Sequence, residues 1–376
     1  MDYASSALSH SANPGAMHEL GLKEKNKLEK ARTKVAKILS AHSDEIIFTS
    51  GATESNNLAI LGLVAGFQHD SKLPHIITIN IEHASILEVC RHLERTEQAT
   101  VAYVEVEPNG IVDPKKIKKA LTKNTVLVSV MYANNEIGTV QPIKEVAKEI
   151  RHYNKMNKRT NQQKIFFHTD ATQAVNYLSI SSQHLGIDLM SFNSAKIYGP
   201  KGVGVLYIKK GTPVSSIMFG GEQERGLRPG TENVAGAMAL AEALEITEKI
   251  KNKEVLRLTK LRDYFVKKLS KIPFDIKFNG DLKNRLPNNI NITIPKIPSD
   301  LLVIELSAHE VMASAKSACK SGDGKVSHVI TAINKNIKET DGSLRFSLGR
   351  DTTRSDIDYA VQALSKILTK LKKWYN

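Results

Sequence analysis

Cysteine is almost absent from this chain of 376 residues, which contains only Cys90 and Cys319. Two cysteines so far apart do not form a disulfide framework. Neither belongs to a CxxC pair or a Cys/His cluster, so we expect no structural metal. Such sparse cysteine usage is typical of a reducing compartment, in which a thiol stays available for chemistry.

Long apolar runs are missing as well. No stretch approaches the roughly 20 apolar residues that a membrane-spanning helix needs. The opening residues, MDYASSALSHSANPG, lack the basic and then apolar pattern of a secretion signal. The sequence therefore predicts a cytoplasmic protein with no membrane partner.

Acidic residues are outnumbered, with 39 Asp and Glu against 53 Lys and Arg and a formal net charge of +14. A positive charge of this size favours acidic partners. The basic residues are nevertheless spread along the chain, with modest clusters at 115–119 and 366–373. Because no nucleic-acid-binding motif accompanies them, we interpret them as solvated helix faces and expect no direct sequence-specific binding to nucleic acid.

Short apolar segments alternate with helical segments from about residue 44 to residue 245. The predicted strands are IIFTS (46–50), HIITI (75–79), TVAYVEV (100–106), TVLVSVMY (125–132), KIFFH (164–168), DLMSF (188–192) and GVGVLYI (202–208). The predicted helices between them cover 54–67, 84–95, 114–121 and 142–157. This alternation is typical of an α/β fold with a mostly parallel sheet covered on both faces.

The C-terminal part has a different pattern. A long helix at about 232–270 is followed by segments typical of a smaller α+β domain, namely INITI (290–294), LLVIELSAHEV (301–311), SLRFSLG (343–349) and a terminal helix at 355–373. We predict a large domain over 14–245 and a small C-terminal domain over 246–376. Residues 1–13 are expected to pack against the small domain.

Ligands of open α/β sheets bind beyond the carboxyl ends of the strands. After the first predicted strand come Gly51, Ala52 and Thr53, and then a helix. The free N–H groups and the dipole of a helix start can bind an anion. Taken alone, the same residues equally fit a glycine turn with Thr53 as a simple helix cap.

Two further predicted strands are followed by side chains that could take part in catalysis. Asp170 follows KIFFH, and an aspartate there can hold a pyridinium nitrogen protonated, although it also suits a turn or a helix cap. Lys196 follows DLMSF and precedes a Gly-Pro-Lys-Gly turn. A lysine amine in such a position can form a Schiff base, which we favour over an ordinary surface lysine. The SxxK motif of acyl-transferring enzymes does not fit, because Asn193 stands three residues before the lysine.

In combination these segments resemble the cysteine desulfurases of the NifS/IscS type, within the class V aminotransferases. The matching stretches are FTSGATESNNLAI, EHASIL, NNEIGTVQPI, HTDATQAV, SFNSAKIYGPKGVGVLY, GGEQERGLRPGTENV, SACKS and LRFSLGR. The resemblance runs from about residue 28 to the end. It implies an aspartate-aminotransferase-like (fold type I) enzyme that binds pyridoxal 5′-phosphate in the large domain. Such an enzyme converts L-cysteine to L-alanine and supplies sulfur for iron–sulfur clusters, tRNA thiolation or both.

The resemblance also implies a set of binding residues, each at a position that matches the family motif. They are Ala52 and Thr53 at the cofactor phosphate, His83 stacked on the pyridine ring, Asn135, Asp170 at the ring nitrogen, Gln173 at the phenolic oxygen, Lys196 as the Schiff-base lysine and Thr231 at the phosphate of a neighbouring subunit. The last role implies a homodimer. The phosphate-binding histidine of the family is absent here, so Asn193 or Ser194 is expected to substitute for it. Asn135 and Arg345 would bind the substrate carboxylate, which a guanidinium can bind bidentately.

Cys319 distinguishes a desulfurase from an aminotransferase, because a thiolate must accept the sulfur as a persulfide. It lies in a small, polar, glycine-bearing segment between Lys316 and Lys320, and positive neighbours favour the thiolate. Together with Lys196 and His83 it is the expected catalytic set. Its thiol is also a candidate transient ligand of an iron–sulfur cluster. Cys90, in the helical ILEVCRHLE, is interpreted as a buried small hydrophobe.

The chain departs from the family at three places. About a strand and a helix of the family are missing before Asn13, Ala195 replaces the usual histidine, and Ala315-Lys316 replaces Ser-Gly before SAC. Alternative interpretations are a selenocysteine lyase or aminotransferase of the same family, or a non-catalytic homologue. The expected sulfur acceptor is an iron–sulfur scaffold protein or a tRNA-thiolation enzyme.

Overall fold

The computed structural model describes residues 12–67, 73–160, 163–315, 327–338 and 340–373. Its internal contacts divide the chain into two units. The first comprises the chain up to Val104, Asp113–Tyr132 and Gln141–Ile250, and the second comprises Glu105–Val112, Ala133–Val140 and the chain from Lys251 on. The second unit thus includes two short segments from the first half of the sequence. The predicted domains, 14–245 and 246–376, are contiguous, so they do not assign these two short segments to the C-terminal part. Their roles as a large cofactor-binding domain and a small domain stay a prediction.

The first unit is built on a sheet of seven strands. In chain order they are β1 (Ile46–Thr49), β2 (His75–Ile79), β3 (Thr100–Val104), β4 (Thr125–Ser129), β5 (Phe166–Asp170), β6 (Leu189–Asn193) and β7 (Gly204–Ile208). Across the sheet the order is β1-β7-β6-β5-β4-β2-β3. Strand β7 pairs antiparallel with β1 and β6, whereas the other four pairings are parallel. The predicted α/β fold with a mostly parallel sheet is confirmed.

Helices connect these strands. They are α1 (Glu19–Leu39), α2 (Ala52–Gly66), α3 (Ala84–Arg95), α4 (Pro114–Ala120), α5 (Ile143–Met156), α6 (Ser182–Leu185) and the long α7 (Val234–Leu269). Helix α1 was not predicted from the sequence. Its buried residues include Leu28, Val35 and Leu39, which recur at helical spacing, so the signal was present.

The core of this unit lies between the sheet and its helices. Residues Ile47, Ile76 and Phe166 of the strands and Leu58 of α2 are 0–1% exposed and belong to one apolar cluster. Cys90 of α3 belongs to the same cluster, with 0% of its surface exposed. Burial raises the pKa of the Cys90 thiol to about 12. The interpretation of Cys90 as a buried hydrophobe is confirmed.

The second unit contains a small antiparallel sheet with helices. Its strands are β8 (Lys277–Phe278), β9 (Asn289–Ile294) and β10 (Gly342–Ser347), in the order β10-β9-β8. The apolar run 301–311 lies mainly in α8 (Ser299–Ala308), and α9 (His328–Ile333) and α10 (Arg354–Leu371) follow. This is the α+β arrangement that the sequence predicts.

No helix within the described ranges combines the length and the apolar character that a bilayer-spanning segment requires.

The burial of Cys90 generates a first prediction. In a Cys319→Ser variant, Cys90 is the only thiol, and the folded protein should not react with the thiol reagent DTNB, because Cys90 is inaccessible and its pKa is far above neutral. Unfolding in urea should release one reactive thiol per chain. Rapid stoichiometric reaction of the folded variant would show that Cys90 is accessible and that the packing described for α3 is wrong.

Candidate active site

Three loops that contain predicted site residues begin at one edge of the seven-stranded sheet. Asp170 is the last residue of β5 and lies opposite Ser191 of the neighbouring β6. The end of β6, Asn193, and the end of β1, Thr49, both lie opposite Gly204, the first residue of β7. The residues that follow β1, β5 and β6 are therefore brought together.

The start of α2 has the geometry of an anion site. Gly51 precedes the helix, and no side chain caps it. The first N–H groups of a helix have no partner within the helix. A Cβ added to Gly204 would lie 2.6 Å from the Cα of Gly51, so glycine at 204 allows this close backbone approach. Ala52 is 9% exposed and Thr53, the next residue of the helix, is exposed.

Lys196 lies on a single 3₁₀ turn, Ser194–Lys196, directly after β6. The Asn193 side-chain oxygen accepts a hydrogen bond of 3.2 Å from the backbone N–H of Lys196. The side-chain amide of Asn176 donates to the Lys196 carbonyl. Both backbone polar groups of Lys196 are thus hydrogen-bonded, whereas the residue itself is exposed and accessible to a ligand.

The Asp170 carboxylate is 6% exposed and held by two donors. Asn56 of α2 donates to Oδ2 at 2.8 Å, and the backbone N–H of Thr172 donates to Oδ1 at 2.9 Å. A carboxylate has about four lone-pair sites, so it retains acceptor capacity for a further N–H group. Gln173, three residues beyond, is half-buried.

His83 begins helix α3 as its N-cap. Its Nδ1 accepts a hydrogen bond of 3.1 Å from the backbone N–H of Ser85. The residue is half-buried, so part of it stays accessible. An imidazole fixed in this way can stack on a flat ligand.

A buried histidine beneath Asp170 was not recognised in the sequence. His168 is 0% exposed, and its ring nitrogens lie 2.9 Å from Ser129 Oγ and 3.0 Å from Ser191 Oγ. Burial lowers the pKa of His168 to about 4, against the opposing effect of the Asp170 charge. It is therefore neutral, and its two hydrogen bonds link β5 to the neighbouring strands β4 and β6. Its position two residues before Asp170, which puts both on one face of the sheet, was the available signal.

Glu82, next to His83, is a second buried acid that the sequence did not single out. It is 1% exposed, and its Oε1 accepts a hydrogen bond of 2.6 Å from the backbone N–H of Met131. Burial raises the pKa of Glu82 well above its usual value, and the negative charge of Asp170 adds to the effect. This shift favours the neutral form of the acid.

In the second unit, strand β9 fixes the loop that carries Asn135. The side chains of Asn289 and Asn291 both donate to the carbonyl of Glu136 at 3.1 Å. Gly138 has a φ of +71°, and a Cβ there would lie 2.7 Å from the Asn289 side chain. The glycine of the NNEIGT motif is therefore required by the turn and by the close packing.

Arg345 of β10 contacts this loop. Its Nη1 donates to the carbonyl of Asn135 at 3.0 Å, so the two residues predicted to bind a carboxylate lie together. Burial lowers the pKa of Arg345, while the charge of Glu136 raises it. Over the described part of the chain, its buried Nε has no hydrogen-bond partner. The guanidinium thus has donor capacity for an anion.

Cys319, with Lys316 and Lys320, lies outside the described residues. The described residues on either side of that stretch are fixed. Ser314 and Arg345 exchange two backbone hydrogen bonds, of 3.1 and 2.7 Å, and Ser327 Oγ donates to the Glu136 carboxylate.

The loop that carries Thr231 is held by a buried ion pair in the first unit. Glu224 receives two hydrogen bonds of 2.7 Å from Arg32 of α1 and one of 2.9 Å from the Phe48 backbone. Glu224 and Arg225 have φ values of +46° and +60°, a strained backbone for residues with a Cβ. Thr231 itself is exposed. No local pattern indicates the pairing of Arg32 with Glu224, which lie 192 positions apart.

An exposed lysine, a buried strand-end carboxylate and an uncapped helix start thus lie at one edge of the sheet. The family model described as Aminotransferase class-V matches residues 2–360. The chain therefore belongs to the class V aminotransferase family, whose desulfurase and aminotransferase members depend on pyridoxal phosphate. The resemblance inferred from the sequence is confirmed.

Curated relatives and solved structures support the same family assignment. The chain is 44% identical over 360 residues to "Cysteine desulfurase IscS" of Dictyoglomus turgidum, covering 96% of this chain and 88% of that protein. It is 40% identical over 364 residues to the protein of the same name from Clostridium botulinum, with coverage of 96% and 88%. The solved "NIFS-LIKE PROTEIN" superposes with a TM-score of 0.89 at 33% identity, covering 98% of this chain and 95% of that chain. The structure "SspA in complex with cysteine" has a TM-score of 0.75 at 30% identity, covering 92% and 94%.

The Arg32–Glu224 pair generates a second prediction. Glu224→Leu leaves the buried Arg32 guanidinium with only the exposed Glu29 as an ion-pair partner, so it should lower the free energy of unfolding by about 3–5 kcal/mol. The measurement is urea unfolding followed by circular dichroism. The double variant Arg32→Met/Glu224→Leu should recover part of that loss, because no buried charge remains alone.

Lys34→Met is the matched control, since Lys34 forms exposed ion pairs with Glu242 and Glu245. It should cost about 0–1 kcal/mol. If Glu224→Leu costs no more than this control, the buried pair does not stabilise the loop.

Proposed function

We propose that this protein is a cysteine desulfurase that converts L-cysteine to L-alanine and transfers the sulfur to Cys319 as a persulfide. Membership of the family and identities of 44% and 40% with relatives named cysteine desulfurase support this activity. The observation that carries it is the set of groups at one sheet edge: the open helix start at Ala52, the buried carboxylate of Asp170 and the turn of Lys196.

The residues present fit pyridoxal phosphate. Besides Asp170 and the helix start, two buried polar atoms close to the carboxylate, Asn56 Oδ1 and Thr172 Oγ1, have no hydrogen-bond partner within the described ranges. Unsatisfied buried polar atoms are rare in proteins and point to a further bonded group. When bound, this cofactor withdraws electrons from the bonds around the substrate α-carbon.

The phosphate would be bound at the start of α2 by the backbone N–H groups of Ala52 and Thr53. Of the two residues proposed to replace the usual histidine, Asn193 suits the role better. Ser194 is 0% exposed, whereas Asn193 is half-buried and uses only its side-chain oxygen on the Lys196 backbone. Its amide N–H₂ is therefore available to an anion.

Around the ring, Asp170 would accept the pyridinium N–H and keep that proton in place, because its two bonded oxygens cannot turn away. Gln173 would donate to the phenolic oxygen. His83 would lie against the ring and move a proton, and Lys196 would bind the cofactor aldehyde. Asn135 and Arg345 would hold the substrate carboxylate.

Cys319 would supply the nucleophile. Its thiolate attacks the sulfur of L-cysteine, a new S–S bond forms, and the C–S bond of the substrate breaks. The electron pair left on the substrate carbon is protonated, so the products are L-alanine and a Cys319 persulfide. The stretch that carries Cys319 begins beside Ser314, which is bonded to Arg345, and ends at Ser327, which is bonded to Glu136, next to Asn135.

The exposed Thr231 supports a homodimer in which it reaches the phosphate of the neighbouring subunit. The persulfide would pass to a sulfur acceptor, either an iron–sulfur scaffold protein or a tRNA-thiolation enzyme. We place the enzyme in the cytoplasm, in keeping with its sparse cysteine content.

A third prediction tests Lys196. Borohydride should attach the cofactor irreversibly to the peptide that contains Lys196, and Lys196→Ala should abolish this attachment. Lys201→Ala is the matched control, because Lys201 is an exposed lysine of the same loop, and it should behave as wild type. Mass spectrometry of the digested protein identifies the labelled lysine; attachment to a different one contradicts the assignment.

A fourth prediction tests Cys319. Cys319→Ser should bind the cofactor normally but release no alanine from L-cysteine, because no thiolate can accept the sulfur. Cys90→Ala, which removes a buried thiol, should retain most of the wild-type rate. Alanine is measured by amino-acid analysis. Normal alanine release by Cys319→Ser would rule out the mechanism even if the cofactor assignment holds.

A further inference from the structure

A chain of hydrogen bonds joins Asp170, proposed to bind the ring nitrogen of the cofactor, to His83, proposed to stack on the ring. The side-chain nitrogen of Asn56 lies 2.8 Å from Asp170 Oδ2 and 2.8 Å from Ser85 Oγ. Ser85 Oγ lies 2.9 Å from His83 Nδ1. Asn56 is 0% exposed and Ser85 is 8% exposed, so water does not compete for these bonds.

The donors and acceptors along this chain can be assigned. A primary amide has two N–H donors and a carboxylate only accepts, so Asn56 donates one hydrogen to Asp170 and the other to Ser85 Oγ. The hydroxyl hydrogen of Ser85 is then available to His83 Nδ1.

The backbone supplies a second donor to the same ring nitrogen. The N–H of Ser85 donates to His83 Nδ1 at 3.1 Å. A ring nitrogen that accepts a hydrogen bond carries no proton, so the neutral imidazole has its proton on Nε2. The positive end of α3 also disfavours a proton on Nδ1.

We propose that Asn56 and Ser85 are positioning residues that hold His83 as the Nε2–H tautomer and hold the Asp170 carboxylate in one orientation. Only Nε2 of His83 is then able to exchange a proton with a bound substrate. This inference deepens the proposed function and rests on it for its effect on turnover. The state of the imidazole follows from the hydrogen bonds alone.

The effects of substitutions should be graded. Asn56→Leu, of similar shape, removes both amide bonds, so it frees Asp170 Oδ2 and the Ser85 hydroxyl together. Ser85→Ala removes the hydroxyl but leaves the backbone bond to Nδ1. Ser85→Thr restores a hydroxyl. Asn57→Leu is the matched control, because the Asn57 side chain is bonded to the Thr53 carbonyl, away from this chain.

The experiment is long-range ¹H–¹⁵N correlation NMR of cofactor-loaded protein labelled with ¹⁵N-histidine. The His83 signals are those missing from His83→Gln. In the wild type and in Asn57→Leu, Nδ1 should resonate as an unprotonated nitrogen and Nε2 as a protonated one. In Asn56→Leu and Ser85→Ala the two resonances should move toward each other, and Ser85→Thr should return them to the wild-type positions.

Turnover gives a second measurement. Asn56→Leu should lower kcat by about ten- to a hundredfold, because it removes two hydrogen bonds that are each worth up to about tenfold, with little change in KM for L-cysteine. Ser85→Ala tests the same link if Asn56→Leu does not fold.

The inference is wrong if wild-type His83 carries its proton on Nδ1, or if Asn56→Leu and Ser85→Ala both leave the His83 resonances unchanged. The proposed function fails in a different way, when the wild type releases no alanine from L-cysteine. In that case the tautomer measured by NMR still decides the inference about Asn56 and Ser85.

Discussion

The buried negative charge of Asp170 is the constraint around which this sheet edge is organised. A buried carboxylate is costly unless it is hydrogen-bonded, and Asn56 and the Thr172 N–H supply those bonds. The two other titratable groups close to it respond to the same burial. Burial lowers the pKa of His168 and raises that of Glu82, which disfavours the charged form of each. The Asp170 carboxylate is therefore the charge proposed to face a cationic ring nitrogen.

Sequence patterns predicted the elements better than the contacts between them. The strands from β1 to β7 were found because short apolar runs between helices are a local signal, and the residues that follow these strands indicated the site. Helix α1 was missed although its buried residues recur at helical spacing. The bonds from Asn56 to Asp170 and from Arg32 to Glu224 could not be predicted, since they join residues 114 and 192 positions apart and arise only from the tertiary fold.

The resemblance to a family supplied what the patterns could not. Nothing in the spacing of Asn135 and Arg345 indicates that they meet, yet the structure joins them by a bond of 3.0 Å. Their role toward a substrate carboxylate stays a prediction. Strand β9 fixes the loop of Asn135 through hydrogen bonds to the Glu136 carbonyl. Strand β10 fixes Ser314, shortly before the stretch with Cys319, through the backbone of Arg345. In this account, substrate binding and delivery of the thiol depend on one small sheet.

The central claim is that sulfur from L-cysteine becomes bound to Cys319. The most direct measurement is peptide mass spectrometry after a single turnover with ³⁴S-labelled L-cysteine, with free thiols trapped by alkylation. The account predicts one added ³⁴S atom on the peptide that contains Cys319, in an amount equal to the alanine formed, and none on the peptide of Cys90. Alanine formed without labelled sulfur on Cys319, or label on Cys90, would contradict it.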